Sequence, residues 1–349
     1  MNTALTLHTH FQGRRRKRRR SLFAGRAWAC LAAALLLSAC GEDTSVPVIG
    51  GVQAKVDDAR ARNDAPALWR AVDEDSTLYL MGTVHLLPPG IDWDHPDTRA
   101  AFDEAGTVFF EADNTGVRAV EAERLSLELG FRRDGRRLSD TLDNYASKLL
   151  EAVSNNGDIP LSTLDSMQPW LATEYLSLSA AQAGGLSPDF SPDETLKSRA
   201  RRAGKAVVYL ETPADQLRSV ADLPTEVQLA VLTDTMENFD SIAIMLTRVA
   251  ENWAVGDVGR LEPDLVTPFE DAPEGYREAV LLNRNAQWAN TLDTFMQRSG
   301  TGFAAVGVAH LIGEESLVSE LKDRGYTVTR FFPFMGEDVI KPREAKIPD

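Results

Sequence analysis

Two short motifs carry most of the chemistry in this sequence: Gly82, Thr83, Val84, His85, and Gly307, Val308, Ala309, His310. Each is an apolar run, then glycine, two residues and histidine. Glycine lets a chain bend sharply as a strand ends, which delivers the imidazole to the rim of a sheet. Glu111 follows the apolar run Thr107 to Phe110, and Glu211 follows Ala206 to Leu210. A carboxylate in that position is poorly solvated unless it meets a cation, a hydrogen-bond donor or a metal. Two imidazoles with one or two carboxylates suit a divalent metal that keeps an open position for an activated water. Without a metal, the same groups suit general acid and base work. Arg284 shares a helical face with Val280, Leu281 and Trp288, so it points inward and needs an anion: Glu111, Glu211 or a developing oxyanion. Plainer readings stand beside these. Glu111 and Glu211 also suit charges at the N-terminus of a following helix, and Arg284 suits a structural ion pair. His95, in a loop before Pro96, reads as surface or helix-cap surroundings, and Phe331, Phe332 and Phe334 read as the buried end of a last strand.

The elements that must position these groups follow from periodicity and turn residues. Leu68 to Val72 and Thr77 to Met81, joined by Asp73 to Ser76, predict a hairpin. Further strands are predicted over Thr107 to Phe110, Ala206 to Leu210, Phe303 to Val306 and Thr327 to Phe332. Helices are predicted over Asp97 to Ala105, Val117 to Gly130, Leu138 to Ser154, Leu164 to Ala183 and Asp193 to Ala203, then three longer ones from Thr225 to Gln297. Strands widely separated by helices imply an α/β fold: a central, largely parallel or mixed sheet with an N-terminal β-hairpin, flanking helices and a helical insertion. Ligands of such sheets sit beyond the carboxyl ends of the parallel strands, so two histidines placed there can converge.

The N-terminus reads differently. Seven basic residues, Arg14 to Arg20, precede the apolar run Ala27 to Leu37, which is too short for a dependable membrane-spanning helix. The run ends in Leu37, Ser38, Ala39, Cys40, which resembles the bacterial lipobox. Residues 1–39 are therefore expected to be a lipoprotein signal peptide, with either the general or the twin-arginine export route open, and Cys40 the lipidated residue. Gly41 after Cys40 resembles the sorting pattern for the outer membrane, so the expected place is a membrane surface facing the periplasm. Residues 40–64 read as a tether, 65–335 as the folded domain and 336–349 as a polar tail. Removal of residues 1–39 takes away eight of the 37 basic residues and none of the 52 acidic ones, leaving a formal charge near −23. That balance argues against a nucleic-acid partner. With Cys30 lost and Cys40 acylated, no thiol remains for a disulfide, a nucleophile or a metal site. No G-x-S-x-G elbow and no nucleotide loop is present.

The segments LWRAV, STLYLMGTVHLLP, VFFEAD, GKAVVYLET, WAVGD, RNAQW and AAVGVAHLIGEESLVSELKDRGYTV occur in this order through the domain. On these residues the chain resembles the TraB/GumN family, related to the Tiki proteins of animals. One departure is Ser191, Pro192, Asp193, where members often carry glycine, a small apolar residue and aspartate. The resemblance implies a fold similar to the erythromycin esterase and haem-binding ChaN group and, by analogy with Tiki proteins, a divalent-metal-dependent peptidase. It implies His85, Glu111 and His310 as ligands of Mn²⁺, Co²⁺ or Zn²⁺, with Glu211, Arg284 and Asn285 lining the site. Expected partners are thus a peptide or small-molecule substrate in the envelope and the membrane that holds the anchor. Glu211 is expected to manage the proton and Arg284 to steady the oxyanion. Two alternatives stay open: a metal-independent, histidine-assisted esterase or amidase, and a non-catalytic lipoprotein that regulates or binds a ligand such as haem.

Overall fold

The structure, a computed structural model, describes residues 65–331. The expected signal peptide, Cys40, the tether and the tail lie outside the described residues. Among those described, no helix is long and apolar enough to cross a membrane.

Six strands form one sheet in the order β4-β3-β5-β2-β1-β6. They are β1 (Leu68–Val72), β2 (Ser76–Thr83), β3 (Thr107–Phe110), β4 (Ala206–Tyr209), β5 (Gly300–Gly307) and β6 (Thr327–Arg330). The hairpin of β1 and β2 closes where Asp73 Oδ1 accepts from the Ser76 backbone N–H at 2.8 Å and from its hydroxyl at 2.6 Å, a local carboxylate turn. β1 pairs antiparallel with β2 and β6, whereas β2, β5, β3 and β4 run parallel. The sheet is therefore mixed, as expected, and its four parallel strands end on one edge.

The helices are α1 (Pro96–Glu104), α2 (Gly116–Gly130), α3 (Asn144–Asn156), α4 (Leu161–Asp165), α5 (Pro169–Ala183), α6 (Pro192–Ala203), α7 (Pro213–Ala221), α8 (Thr225–Glu237), α9 (Phe239–Ala254), α10 (Val258–Leu265), α11 (Thr267–Glu270), α12 (Asn283–Met296) and α13 (Leu317–Asp323). Two predicted helices are shorter than periodicity suggests. The stretch from Leu138 is broken because Asp143 caps α3, accepting from the N–H groups of Tyr145 and Ala146. The stretch from Leu164 breaks before Pro169, whose ring suits a first turn and not a helix interior. α7, with a Thr212/Asp215 capping box, and α13 lie outside the expected set.

Strand alternation sorts the core. Val108 and Phe303, paired in register, share one face, and Phe303 meets Phe102 of α1 edge-on at 5.4 Å. Phe109 takes the other face and meets Phe295 of α12 at 5.2 Å. Continuing that alternation, Glu111 emerges on the α12 side, where Arg284 waits.

Candidate active site at the carboxyl edge of the sheet

Register fixes the meeting point. Thr83 pairs with Gly307, Phe110 with Ala305 and Phe110 with Tyr209, so the segments after β2, β5, β3 and β4 leave the sheet side by side. The ladder persists one step further, since the Glu211 N–H donates to the Glu111 carbonyl at 2.9 Å. Gly82 is needed at the bend. A Cβ there would stand 2.8 Å from Val308 Cγ2, and its carbonyl accepts from the buried Trp253 indole at 2.7 Å. Gly307 opens the centre: Glu111 Oε1, His85 Nε2 and His310 Cδ2 lie 3.2, 3.5 and 3.6 Å from where its Cβ would be.

Arg284 is the hub of a buried charge network. Its Nε and Nη2 grip Glu211 at 3.0 and 2.6 Å, Nη2 also donates to Glu111 Oε2 at 3.0 Å, and Nη1 donates to the Val280 carbonyl at 3.1 Å. Nη1 lies 3.2 Å from His310 Nε2, and the guanidinium packs over the Trp288 ring at 4.6 Å. A guanidinium has five N–H groups, and these contacts use all five. No donor is left for an oxyanion in this arrangement. The π-helical turn Glu278–Leu282 ahead of α12 supplies the Val280 carbonyl and helps set the position of Arg284.

One cation shared by two carboxylates drives them apart. Burial raises the pKa of Glu111, but Arg284, His85, His310 and the Gly307 N–H, which donates at 2.6 Å, outweigh it and hold the group below its ordinary value. Gln216 donates to it as well, at 3.2 Å. For Glu211 burial prevails over Arg284, and the nearby Glu111 charge adds to it, so the pKa is raised. Glu111 is thus the anion and Glu211 the group nearer to accepting a proton.

The two histidines are both anchored through Nδ1, and their pKa values are shifted in opposite directions. His310 Nδ1 lies 2.7 Å from Asn285 Oδ1, and the Asn285 amide donates to the Glu315 carbonyl at 3.1 Å. Those partners place the His310 proton on Nδ1 and leave Nε2 as an acceptor for Arg284. Burial and then the Arg284 charge push the His310 pKa down to about 3, so the ring is neutral. His85 Nδ1 lies 3.3 Å from Asp193 Oδ2. Burial disfavours the charged ring, but the Asp193 hydrogen bond and charge, together with Glu111, outweigh it and raise the His85 pKa. Burial likewise raises the Asp193 carboxyl, yet His85, Lys197 and Ser191 hold it low. Asp193 also accepts from the hydroxyls of Thr83 and Ser191, both at 2.9 Å.

Five of the six expected residues, Glu111, Glu211, Arg284, Asn285 and His310, form one hydrogen-bonded network, and His85, held by Asp193, stands beside it across Gly307 from Glu111. Of these, only His85 and Glu111 reach the open cleft, which is also lined by Asn114, Ser191, Asp193, Glu194, Lys197 and Gln216. Glu211, Arg284, Asn285 and His310 form the layer behind. Sequence reasoning missed Asp193 and Gln216. Asp193 carried a signal, as an acid directly after the Ser-Pro start of a helix, but nothing local ties it to a histidine 108 residues earlier. His95 caps α1, its Nδ1 accepting from the Asp97 N–H at 3.3 Å, and takes no part in the site. Phe331 packs edge-on against Tyr79 at 5.0 Å, whereas Phe332 and Phe334 fall outside the described residues.

The donor types and their convergence on Gly307 suit a divalent cation, and anchoring each imidazole through Nδ1 is how metal-binding histidines are commonly oriented. The present arrangement is not a ready site. Among the described residues no group of three or more His, Cys, Asp or Glu is positioned to hold a metal ion. The His310 lone pair, for its part, is turned to Arg284.

A mixed α/β sheet that presents two G-x-x-H histidines and two carboxylates at the ends of its parallel strands defines a histidine and carboxylate site of the kind used for acid and base chemistry. The match to the TraB/PrgY/gumN family model covers residues 67–330, and the chain belongs to that family. No curated protein and no solved structure matches the chain.

Proposed function

We propose that the protein is a hydrolase of carbonyl substrates, most suitably peptides, working at an envelope membrane to which a lipid on Cys40 holds it. The observation that carries the hydrolytic reading is the His85 and Asp193 pair. Asp193 fixes the Nδ1 side of the ring, so Nε2 turns toward Glu111 and the cleft. In that geometry His85 takes a proton from water or an attacking hydroxyl, and the ionised Asp193 stabilises the imidazolium that forms. Glu111, held by three donors, aligns the attacking group. Glu211 behind it is gripped by Arg284, which stays protonated and balances the charge of the two carboxylates.

Divalent-metal dependence belongs to the same proposal. His85 Nε2, Glu111 and His310 Nε2 are the residues that would hold Mn²⁺, Co²⁺ or Zn²⁺, once Arg284 Nη1 gives up His310. A bound cation would polarise the substrate carbonyl and make water more acidic. Anchoring of both histidines through Nδ1 favours this version, while saturation of Arg284 favours the metal-free one. The test is peptide and ester hydrolysis by the full chain after exhaustive chelation and after return of each metal. Activity that vanishes and returns with one metal supports the cation. Activity that survives chelation but not His85→Ala supports the histidine acting alone. Equal activity of the native chain and a His85→Ala/His310→Ala double variant overturns both.

A further inference from the structure

Lys197 lies in the wall of the cleft, and beyond the charge it lends to keeping Asp193 ionised, the chemistry above gives its ammonium no ligand. Its residue is 6% exposed, yet its ammonium makes one hydrogen bond, to Glu194 Oε1 at 3.0 Å. An ammonium carries three N–H groups, and leaving two without partners in a buried position is costly. Glu194, in contrast, has a side chain 42% exposed. An exposed ion-pair partner contributes little and can withdraw to water at small cost.

We infer that Lys197 is the anchor for a carboxylate of the substrate, which takes the place of the Glu194 carboxylate. The Glu194 carboxylate shows what this ammonium binds, and an exchange of one carboxylate for another leaves the charge of the wall unchanged. Lys197 lies one helical turn after Asp193 on α6, so a carboxylate held there sits beside the His85 and Asp193 pair. Resting on the hydrolase reading for its place beside the reacting bond, the inference names the substrate class: peptides or acylated amino acids with a free carboxylate near the bond that is cut.

The test is equilibrium binding of N-acetyl-trialanine and of its C-terminal amide to the full chain under conditions of slow turnover. The free acid should bind about tenfold more tightly than the amide, as expected for charge-assisted hydrogen bonds. Lys197→Gln should remove that preference and leave amide binding within about twofold. Glu194→Gln should enlarge the preference by removing the internal competitor, an opposite sign that a purely structural ion pair does not give. Should Lys197→Gln not fold, Glu194→Gln decides alone. Equal binding of the two peptides, no binding of either, persistence of the preference in Lys197→Gln, or a weaker preference in Glu194→Gln would each overturn the inference. Turnover is read separately. Selective binding without hydrolysis keeps the carboxylate site and removes the hydrolase reading, while hydrolysis without selectivity does the reverse.

Discussion

The layer around Arg284 and the wall around His85 are built from the same residue types and end in opposite states. Behind the cleft, every N–H of Arg284 is engaged, Glu211 is gripped by two of them, and both nitrogens of His310 have partners. At the wall, His85 is held through one nitrogen only and Lys197 through one N–H only. Buried charge that is fully satisfied has little left to offer a ligand. Groups with one hand free have that capacity, which is why the proposed function gives binding and proton transfer to the wall and charge balance to the layer behind. A third state is found at Glu174 of α5, 2% exposed, with Oε2 lacking any partner in a small space bordered by Trp170, Val220 and Val231. There burial alone raises the pKa well above the ordinary value, which favours the neutral carboxyl.

The largest expected effect comes from breaking the saturated layer. Arg284→Met leaves Glu111 and Glu211 buried without their cation and should cost about 3–5 kcal/mol in a urea titration. Arg284→Lys should recover only part of that, because an ammonium lacks the planar fork that grips two carboxylates. The wall should respond the other way round. Asp193→Asn, which removes the charge behind His85, should lower turnover by about 10²-fold or more while changing stability much less than Arg284→Met does. Equal losses of stability in the two variants would erase the distinction between the regions.

Glu174 gives a smaller effect with a defined pH sign. Its folded pKa lies above its unfolded value, so the native state carries no penalty below the unfolded value, near pH 4.5, and loses stability as pH rises toward and through the folded one. Glu174→Gln should therefore be more stable than the parent at pH 8, by about 1.4 kcal/mol for each pH unit separating the folded and unfolded pKa values, up to pH 8. Thermal unfolding at pH 4 and pH 8 reads this directly, and the difference should shrink at the acid end. The smallest effect is at the bend after β2. Trp253→Phe leaves the Gly82 carbonyl without its indole donor and a buried ring smaller than its space, and should cost about 1–3 kcal/mol.

Much of the site was legible because the chemistry sits where strands end, and strand ends are punctuated in sequence. Glycine before each histidine, and acid directly after each buried apolar run, placed His85, His310, Glu111 and Glu211 on one edge once parallel strands were inferred. The inward face of Arg284 followed from its spacing to Val280, Leu281 and Trp288. How the donors of Arg284 divide among their partners did not, because the π-helical turn shifts the phase of α12 and the partners come from β3, β4 and the turn after β5. Asp193 and Gln216 were missed for a similar reason. Each reaches the site from the start of a helix whose register against the sheet is set by long-range packing, which local periodicity does not encode.

The most direct test of the central claim is hydrolysis of a peptide panel by the full chain and by its His85→Gln variant, with unfolding midpoints measured on both. Turnover is expected from the native chain, with a fall of about 10²-fold or more in the variant and midpoints that agree closely. Undiminished turnover in the variant, or a loss explained by unfolding, would contradict that claim.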